Sequence, residues 1–128
     1  PRPGLSRYGG WLAGPRLEAT GFFRVEKLEG KWWFVDPEGH LFWSVGVNTA
    51  GSLPATRVAG REAYFPETVR GQKQAGFYEA NLKQKHGADS WLARHVDLTV
   101  ARMFDWGLNT VGAWSLPEMT TTGRVPYT

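Results

Sequence analysis

Apolar residues follow two different patterns along the first half of the chain. Residues 22–28 and 31–35 mix charged and apolar side chains, which indicates two half-exposed strands joined by a glycine-containing turn. A second turn over residues 36–39 leads into residues 41–47, where the apolar run is nearly continuous. A run of that kind is typical of a strand buried on both faces. The pattern therefore predicts an antiparallel meander whose third strand enters the interior.

The second half of the chain carries a helical period. Residues 49–76 show no sustained period, and a helix is then predicted over Phe77–His86, with Gly87 closing it. A longer helix is predicted over residues 91–106, capped by Asp89 or Ser90 and ended by Gly107. Its apolar positions recur at spacings of four, four and three: Leu92, Val96, Val100 and Met103.

A final apolar strand is predicted over residues 108–114, and the remaining tail reads as polar and turn-rich. A strand followed by a long irregular segment, a helix and a second strand forms a βαβ unit, in which the two strands run parallel. A (β/α)8 barrel needs about 250 residues. If the unit belongs to a barrel, the 128-residue chain holds only its first quarter.

Composition narrows the classes of function. With 41% hydrophobic and 14% aromatic residues the chain can fill a core, and no apolar run reaches the length of about 18 residues that spans a membrane. The absence of cysteine excludes disulfides, thiol catalysis and cysteine-based zinc sites. A net charge of +3 with scattered basic residues gives little support for nucleic-acid binding. We expect no nucleic-acid partner and no membrane partner.

Common catalytic and cofactor motifs are absent as well. The chain has no G-x-S-x-G, no P-loop and no dinucleotide-binding glycine motif. His40, His86 and His95 are too widely spaced for a zinc set, so capping and surface roles are expected for them. No cofactor and no metal are therefore predicted.

Three blocks, "GKWWFVDPEGHLFWSVGVN", "FYEANLKQKHG" and "RMFDWGLNTVGAWS", resemble successive blocks of glycoside hydrolase family 50, the β-agarases. The resemblance covers roughly residues 20–116 and implies an α/β fold. The implied fold is an incomplete (β/α)8 TIM barrel, with its first two strands and crossover helices preceded by an antiparallel β-hairpin. Residues 1–20 would form a lead-in segment, and residues 21–128 the amino-terminal portion of the glycoside hydrolase barrel.

The resemblance also implies an activity. Family members are retaining hydrolases that cleave β-galactosidic linkages of agar-type polysaccharide with two glutamates, which follow later barrel strands and have no counterpart here. We therefore assign no catalytic residue and expect the 128-residue chain alone to be inactive. The implied partners are a galactan polysaccharide or oligosaccharide and the remainder of the barrel, and an extracellular or periplasmic location is favoured. The alternative is a stand-alone, non-catalytic carbohydrate-binding or interaction module.

Substrate contacts are expected where the two parallel strands end, because barrel active sites lie at the carboxyl ends of the strands. Asn48, Trp114 and Ser115 occupy that edge. Amides and hydroxyls bind sugar hydroxyls, and an indole packs on the apolar face of a sugar. The competing interpretation is that Trp114 fills the barrel and Asn48 caps a turn. Gly46 and Gly112 lie near the same strand ends and would allow a close approach of backbone or ligand.

The remaining side chains receive structural interpretations. The acidic residues are expected to be solvated or to serve in turns, and residues 49–75 to form a wall of the cleft, with Tyr64, Phe65 or Tyr78 near substrate. Five clustered aromatic residues precede the carboxyl end of the first parallel strand, so we expect them to form core and barrel floor rather than a sugar platform. They are Trp32, Trp33, Phe34, Phe42 and Trp43.

Overall fold

A computed structural model of the protein describes residues 3–128. The first two residues of the predicted lead-in lie outside that range. The strands are β1 (Arg24–Leu28), β2 (Lys31–Val35), β3 (Leu41–Phe42), β4 (Gly46–Val47), β5 (Thr56–Arg57), β6 (Gln74–Ala75) and β7 (Thr110–Val111). The helices are α1 (Phe77–His86), α2 (Trp91–Asp105) and α3 (Pro117–Thr121), with short 3₁₀ turns at Glu62–Tyr64 and Glu67–Val69. The chain is therefore of the α/β class.

The predicted antiparallel meander is present, in the order β1-β2-β3. β1 pairs with β2 so that Val25 lies opposite Phe34, and β2 pairs with β3 so that Phe34 lies opposite Phe42. The turn between β2 and β3 contains Gly39, whose positive φ of 89° suits glycine. The meander brings β3 next to the interior.

The expectation of one continuous third strand over residues 41–47 is wrong. β3 ends at Phe42, and β4 belongs to a separate parallel sheet with β7. Between them, the side-chain amide of Asn109 accepts a hydrogen bond from the Val45 backbone N–H and donates one to the Trp43 carbonyl, both at 2.8 Å. Because β3 and β4 belong to different sheets, the strand pairing is interrupted between them. There the side-chain amide of Asn109 makes the hydrogen bonds that a neighbouring strand would otherwise make.

β4 and β7 run parallel, as predicted, with Gly46 opposite Thr110 and Val47 opposite Val111. The regular part of β7 is shorter than the predicted residues 108–114. On its other edge, the Val111 N–H donates to the Pro126 carbonyl at 2.8 Å, and the Thr128 N–H donates to the Val111 carbonyl at 3.0 Å. Residues 125–128 thus run parallel to β7 as well.

The tail after β7 is predicted to be polar and turn-rich. In the structure it contributes α3 and a segment that runs parallel to β7. Met119 in α3 is fully buried, and Val125 is nearly so. Two apolar residues separated by six positions give no period in the sequence, so this packing has no local signal.

Both long helices agree closely with the prediction. α1 has the predicted bounds, and Gly87 follows it with φ of 85°. α2 ends at Asp105, one residue before the predicted Trp106. Ser90 is the N-cap residue of α2, but its hydroxyl donates to the His86 carbonyl rather than accepting from an N–H of the helix.

The hydrophobic core lies between α2, β7, the turn after β4 and the tail. Val96, Val100 and Met103 of the predicted apolar face are buried, whereas Leu92 is only partly so. The buried cluster consists of Ala50, Val96, Val100, Met103, Val111, Met119 and Val125, with Phe104, Leu108 and Leu116 packed against it.

The five clustered aromatic residues do not form a common core. Phe42 is buried and Trp33 half-buried, but Trp32 is 71% exposed, Phe34 50% and Trp43 73%. These last three rings are thus exposed in the described residues, and their role as barrel floor stays a prediction. The β1–β2 register pairs Lys27 with Trp32 and Val25 with Phe34, so both rings lie on the outer face of the hairpin.

Asp36 anchors the lead-in to the hairpin turn. Its carboxylate is fully buried and accepts hydrogen bonds from the Ser6 hydroxyl at 2.6 Å and from the N–H groups of Glu38 and His40 at 2.9 Å. A turn role was expected for this residue, but its complete burial was not. His40 is buried too, so the surface role predicted for it is wrong.

We predict that Asp36→Ala lowers the free energy of unfolding by about 3 kcal/mol, because it leaves buried donors of two elements without their charged acceptor. Thermal and urea unfolding of the protein would measure the loss. Glu38→Ala is the matched control, since it removes a carboxylate from the same turn while keeping the backbone N–H that Asp36 binds. Equal stability of the two variants would contradict the anchoring role.

Candidate functional site

The candidate site is built where β4 and β7 end. Their pairing continues past the regular strands, because the Gly112 N–H donates to the Val47 carbonyl and the Thr49 N–H donates to the Ala113 carbonyl, both at 2.9 Å. Asn48 and Gly112 therefore lie side by side. The predicted site residues thus come from two neighbouring strand ends at one edge of the parallel pair.

The side chain of Asn48 occupies the space that a Cβ on Gly112 would fill. An ideal Cβ at Gly112 would lie 2.2 Å from the Asn48 Oδ1 atom. The amide of Asn48 makes no hydrogen bond with any residue that the structure describes, and the residue is exposed. The amide is therefore held over Gly112 with its donor and acceptor free for a ligand.

Gly46 meets the same kind of constraint on the neighbouring strand. A Cβ there would lie 2.8 Å from the Thr110 carbonyl oxygen. The expectation that the two glycines permit close approach is confirmed. At Gly46 the approaching group is backbone, and at Gly112 it is the side chain of Asn48.

Trp114 presents its indole to solvent with 81% of the residue exposed. Its φ is +57°, and Thr49, after the other strand, has φ of +58°. Left-handed backbone is unfavourable for large and β-branched residues, and such strain concentrates at functional sites. Within the described residues, Trp114 does not fill a core, and its ring is available for stacking.

Ser115 connects the two strand ends. Its hydroxyl donates to the Gly112 carbonyl at 2.7 Å and accepts from the Ala50 N–H at 2.9 Å. The Leu116 N–H donates back to the Ala50 carbonyl at 2.9 Å. The single hydroxyl proton of Ser115 is thus already donated within the protein, which leaves one acceptor lone pair for a ligand.

His95 is a residue that the sequence interpretation missed. It is buried on α2, and its Nε2 lies 2.9 Å from the Gly51 carbonyl oxygen, so the helix holds the turn after β4. The predicted surface role is therefore wrong for His95. It lies three residues after Leu92 and one before Val96, so the helical period alone places it on the buried face.

Residues 49–75 are more ordered than their sequence indicated, because β5 and β6 pair antiparallel. The ring of Phe65 stacks on Phe77 at 5.6 Å, and Tyr78 packs edge-on against His95 at 5.7 Å. Two of the three aromatic residues expected near substrate thus have packing partners, whereas Tyr64 is exposed. Their predicted nearness to substrate stays a prediction.

Six of the twelve acidic side chains, Asp36 among them, have structural contacts in the described chain. The Gly60 N–H donates to Glu62 and holds the pKa of that carboxyl below its usual range. Four further carboxylates form ion pairs: Glu26 with Arg24, Glu67 with Arg70, Glu79 with Lys83 and Asp97 with Arg124. Within residues 3–128 no group of histidine and acidic residues could hold a metal ion.

None of the helices described in residues 3–128 is both long enough and apolar enough to cross a membrane.

No protein-family model matches the chain. Among curated proteins, β-agarase B of Vibrio sp. (strain JT0107) is 32% identical over 166 residues, which takes in 98% of this chain and 17% of that protein. Among solved structures, the agarase AgWH50C has a TM-score of 0.79 and 34% identity over 99% of this chain and 23% of its own. PfGH50B has a TM-score of 0.79 and 26% identity over 98% of this chain and 25% of its own.

These matches first define a class: the chain is similar to part of larger proteins that are named as agarases. More particularly, its resemblance to the β-agarases of glycoside hydrolase family 50 is confirmed. The chain spans between 17% and 25% of the length of these three relatives. The matched stretch of β-agarase B is longer than the chain itself, so that relative carries additional residues within the shared region.

We predict that Gly112→Ala preserves the fold but displaces the amide of Asn48. The new Cβ would overlap the Asn48 Oδ1 atom, and an exposed side chain can rotate away. A crystal structure, or the side-chain amide resonances of Asn48, would detect the movement.

Gly76→Ala is the control for that substitution, because a Cβ there meets only ordinary contacts at 3.8 Å. An unmoved Asn48 amide in Gly112→Ala would refute the packing relation between the two residues.

Proposed function

We propose that this chain is the amino-terminal portion of the catalytic barrel of a β-agarase-like glycoside hydrolase. The observation that carries the proposal is the match to the agarase AgWH50C, at a TM-score of 0.79 over 99% of the chain. The whole enzyme would cleave β-galactosidic linkages of agar-type polysaccharide by a retaining mechanism, with two glutamates that lie outside this chain.

The strand arrangement supports the barrel. β4, β7 and residues 125–128 are parallel neighbours in chain order, which is the order of successive strands in a (β/α)8 barrel. α2 packs against β7 as a crossover helix does. Residues 21–128 would then belong to the barrel and its preceding hairpin, with residues 1–20 as a lead-in bonded to the hairpin turn.

The chemistry of the strand ends supports sugar binding. Asn48 offers an unpaired amide, and Trp114 offers an exposed indole on the neighbouring strand. A galactose unit presents hydroxyls to the first and an apolar C–H face to the second. We propose that both contact the galactan, and that Ser115 lies beside them with one free lone pair.

We predict that Trp114→Ala in the whole enzyme lowers kcat/KM on agaro-oligosaccharides at least about tenfold, the equivalent of about 1.4 kcal/mol. The melting temperature should change little, because the indole is 81% exposed in the described chain and the proposal gives it substrate rather than core contacts. Steady-state kinetics and thermal melts would be compared between variant and parent.

Trp106→Ala is the matched control, since Trp106 is 72% exposed but follows α2 at the other end of β7. Unchanged kinetics in Trp114→Ala with a large drop in melting temperature would make Trp114 a packing residue.

We also predict that residues 1–128, expressed alone, release no reducing ends from agarose and self-associate. Retaining hydrolysis needs two carboxyl groups about 5 to 5.5 Å apart, and the carboxylates described above serve ion pairs and turns. Exposed rings on the hairpin favour association. Sugar release above background would reveal a catalytic pair within the chain, and a monomer that binds agarose would favour the stand-alone binding module.

A further inference from the structure

We propose that Ser115 is a positioning residue, whose hydroxyl ties the two strand ends together and thereby sets the separation of the Asn48 amide and the Trp114 indole. The inference rests on the proposed sugar-binding role of those two residues. In this role Ser115 acts through Asn48 and Trp114 and does not itself contact the substrate.

The hydrogen bonds of Ser115 are the first support. Its hydroxyl sits between the Gly112 carbonyl, which belongs to its own strand end, and the Ala50 N–H, which belongs to the turn after β4. The Leu116 N–H returns a bond to the Ala50 carbonyl. The two turns are therefore closed into one hydrogen-bonded unit with the Ser115 hydroxyl at its centre.

The strained backbone next to these bonds is the second support. Thr49 directly precedes Ala50, and Trp114 directly precedes Ser115; both have left-handed φ values. Left-handed backbone is unfavourable for a non-glycine residue, so it persists only where neighbouring contacts hold it. The Ser115 bonds are the contacts that involve the residues directly after both strained positions. Asn48 directly precedes the strained Thr49, and Trp114 is itself strained, so both site residues depend on this backbone.

A second anchor keeps the turn folded when the hydroxyl is removed. His95 holds the Gly51 carbonyl from the buried side of α2, and the Thr49 N–H still bonds to Ala113. Loss of the Ser115 hydroxyl should therefore shift the site residues locally without unfolding the protein.

The opposite end of the same strand pair provides a matched control. The hydroxyls of Ser44 and Thr110 lie 2.8 Å apart, so Ser44 also links the two strands through a serine side chain. Ser44 precedes β4, whereas Asn48 follows it, so Ser44 lies at the end of the strand pair opposite to Asn48 and Trp114. Ser44→Ala removes an equivalent link without touching the site.

The experiment compares Ser115→Ala, Ser115→Thr and Ser44→Ala in the whole enzyme. In the whole enzyme, 5-fluorotryptophan labelling gives one ¹⁹F resonance for each tryptophan, including the seven of this chain, and Trp114→Phe assigns that of Trp114. We expect Ser115→Ala to move the Trp114 resonance in the absence of substrate. We also expect it to raise KM for agaro-oligosaccharides about tenfold with a smaller change in kcat. Ser115→Thr, which keeps a hydroxyl, should bring the Trp114 resonance and KM back toward those of the parent. Ser44→Ala should leave the resonance and KM unchanged.

The outcomes separate this proposal from its premise. An unmoved Trp114 resonance in Ser115→Ala overturns the positioning role, and if KM rises all the same, Ser115 contacts substrate directly. A moved resonance with unchanged kinetics supports the positioning role while refuting the sugar site. Amide exchange in the parent protein gives a test without any variant: the Ala50 N–H should be protected, and rapid exchange there would contradict the link.

Discussion

The parallel pairing of β4 with β7 is the constraint on which the rest of the structure depends. It joins only two pairs of residues, yet parallel strands require a crossover, so every element between them, including α1 and α2, serves that connection. The same pairing breaks the apolar run after Phe42 and excludes a side chain at Gly46. It also brings Asn48 next to Gly112, which creates the candidate site.

Two surfaces of the chain have opposite characters. At the carboxyl ends of the parallel strands, the backbone that carries Asn48 and Trp114 is tied by hydrogen bonds of Ser115 and His95. Along the meander and directly after β3, the rings of Trp32, Phe34 and Trp43 are at least half exposed. So many exposed rings are unusual for a monomeric domain. They agree with the proposal that more of a barrel packs on this chain, which spans only 17% to 25% of its relatives.

Much of the fold could be predicted, because its signals are local. The helices α1 and α2 follow from periodicity and from Gly87 and Gly107, which were predicted to end them and which adopt positive φ. The positions of the glycines at the strand ends were also predictable. The roles of Asn109, His95 and Ser115 were not, because each side chain bonds to a backbone group far away in sequence, and nothing in the local pattern specifies that partner.

By itself, the sequence determined the α/β class, the meander, both long helices and the family resemblance, since each is encoded in spacing, turn residues or contiguous blocks. Tertiary structure decided where the apolar run at residues 41–47 divides, and it decided that the tail pairs with β7. It also decided that Asp36 is buried and that the Asn48 amide lies over Gly112. Each of these features depends on which hydrogen-bond partner a backbone N–H or carbonyl group finds. That partner is available only when segments distant in sequence come together.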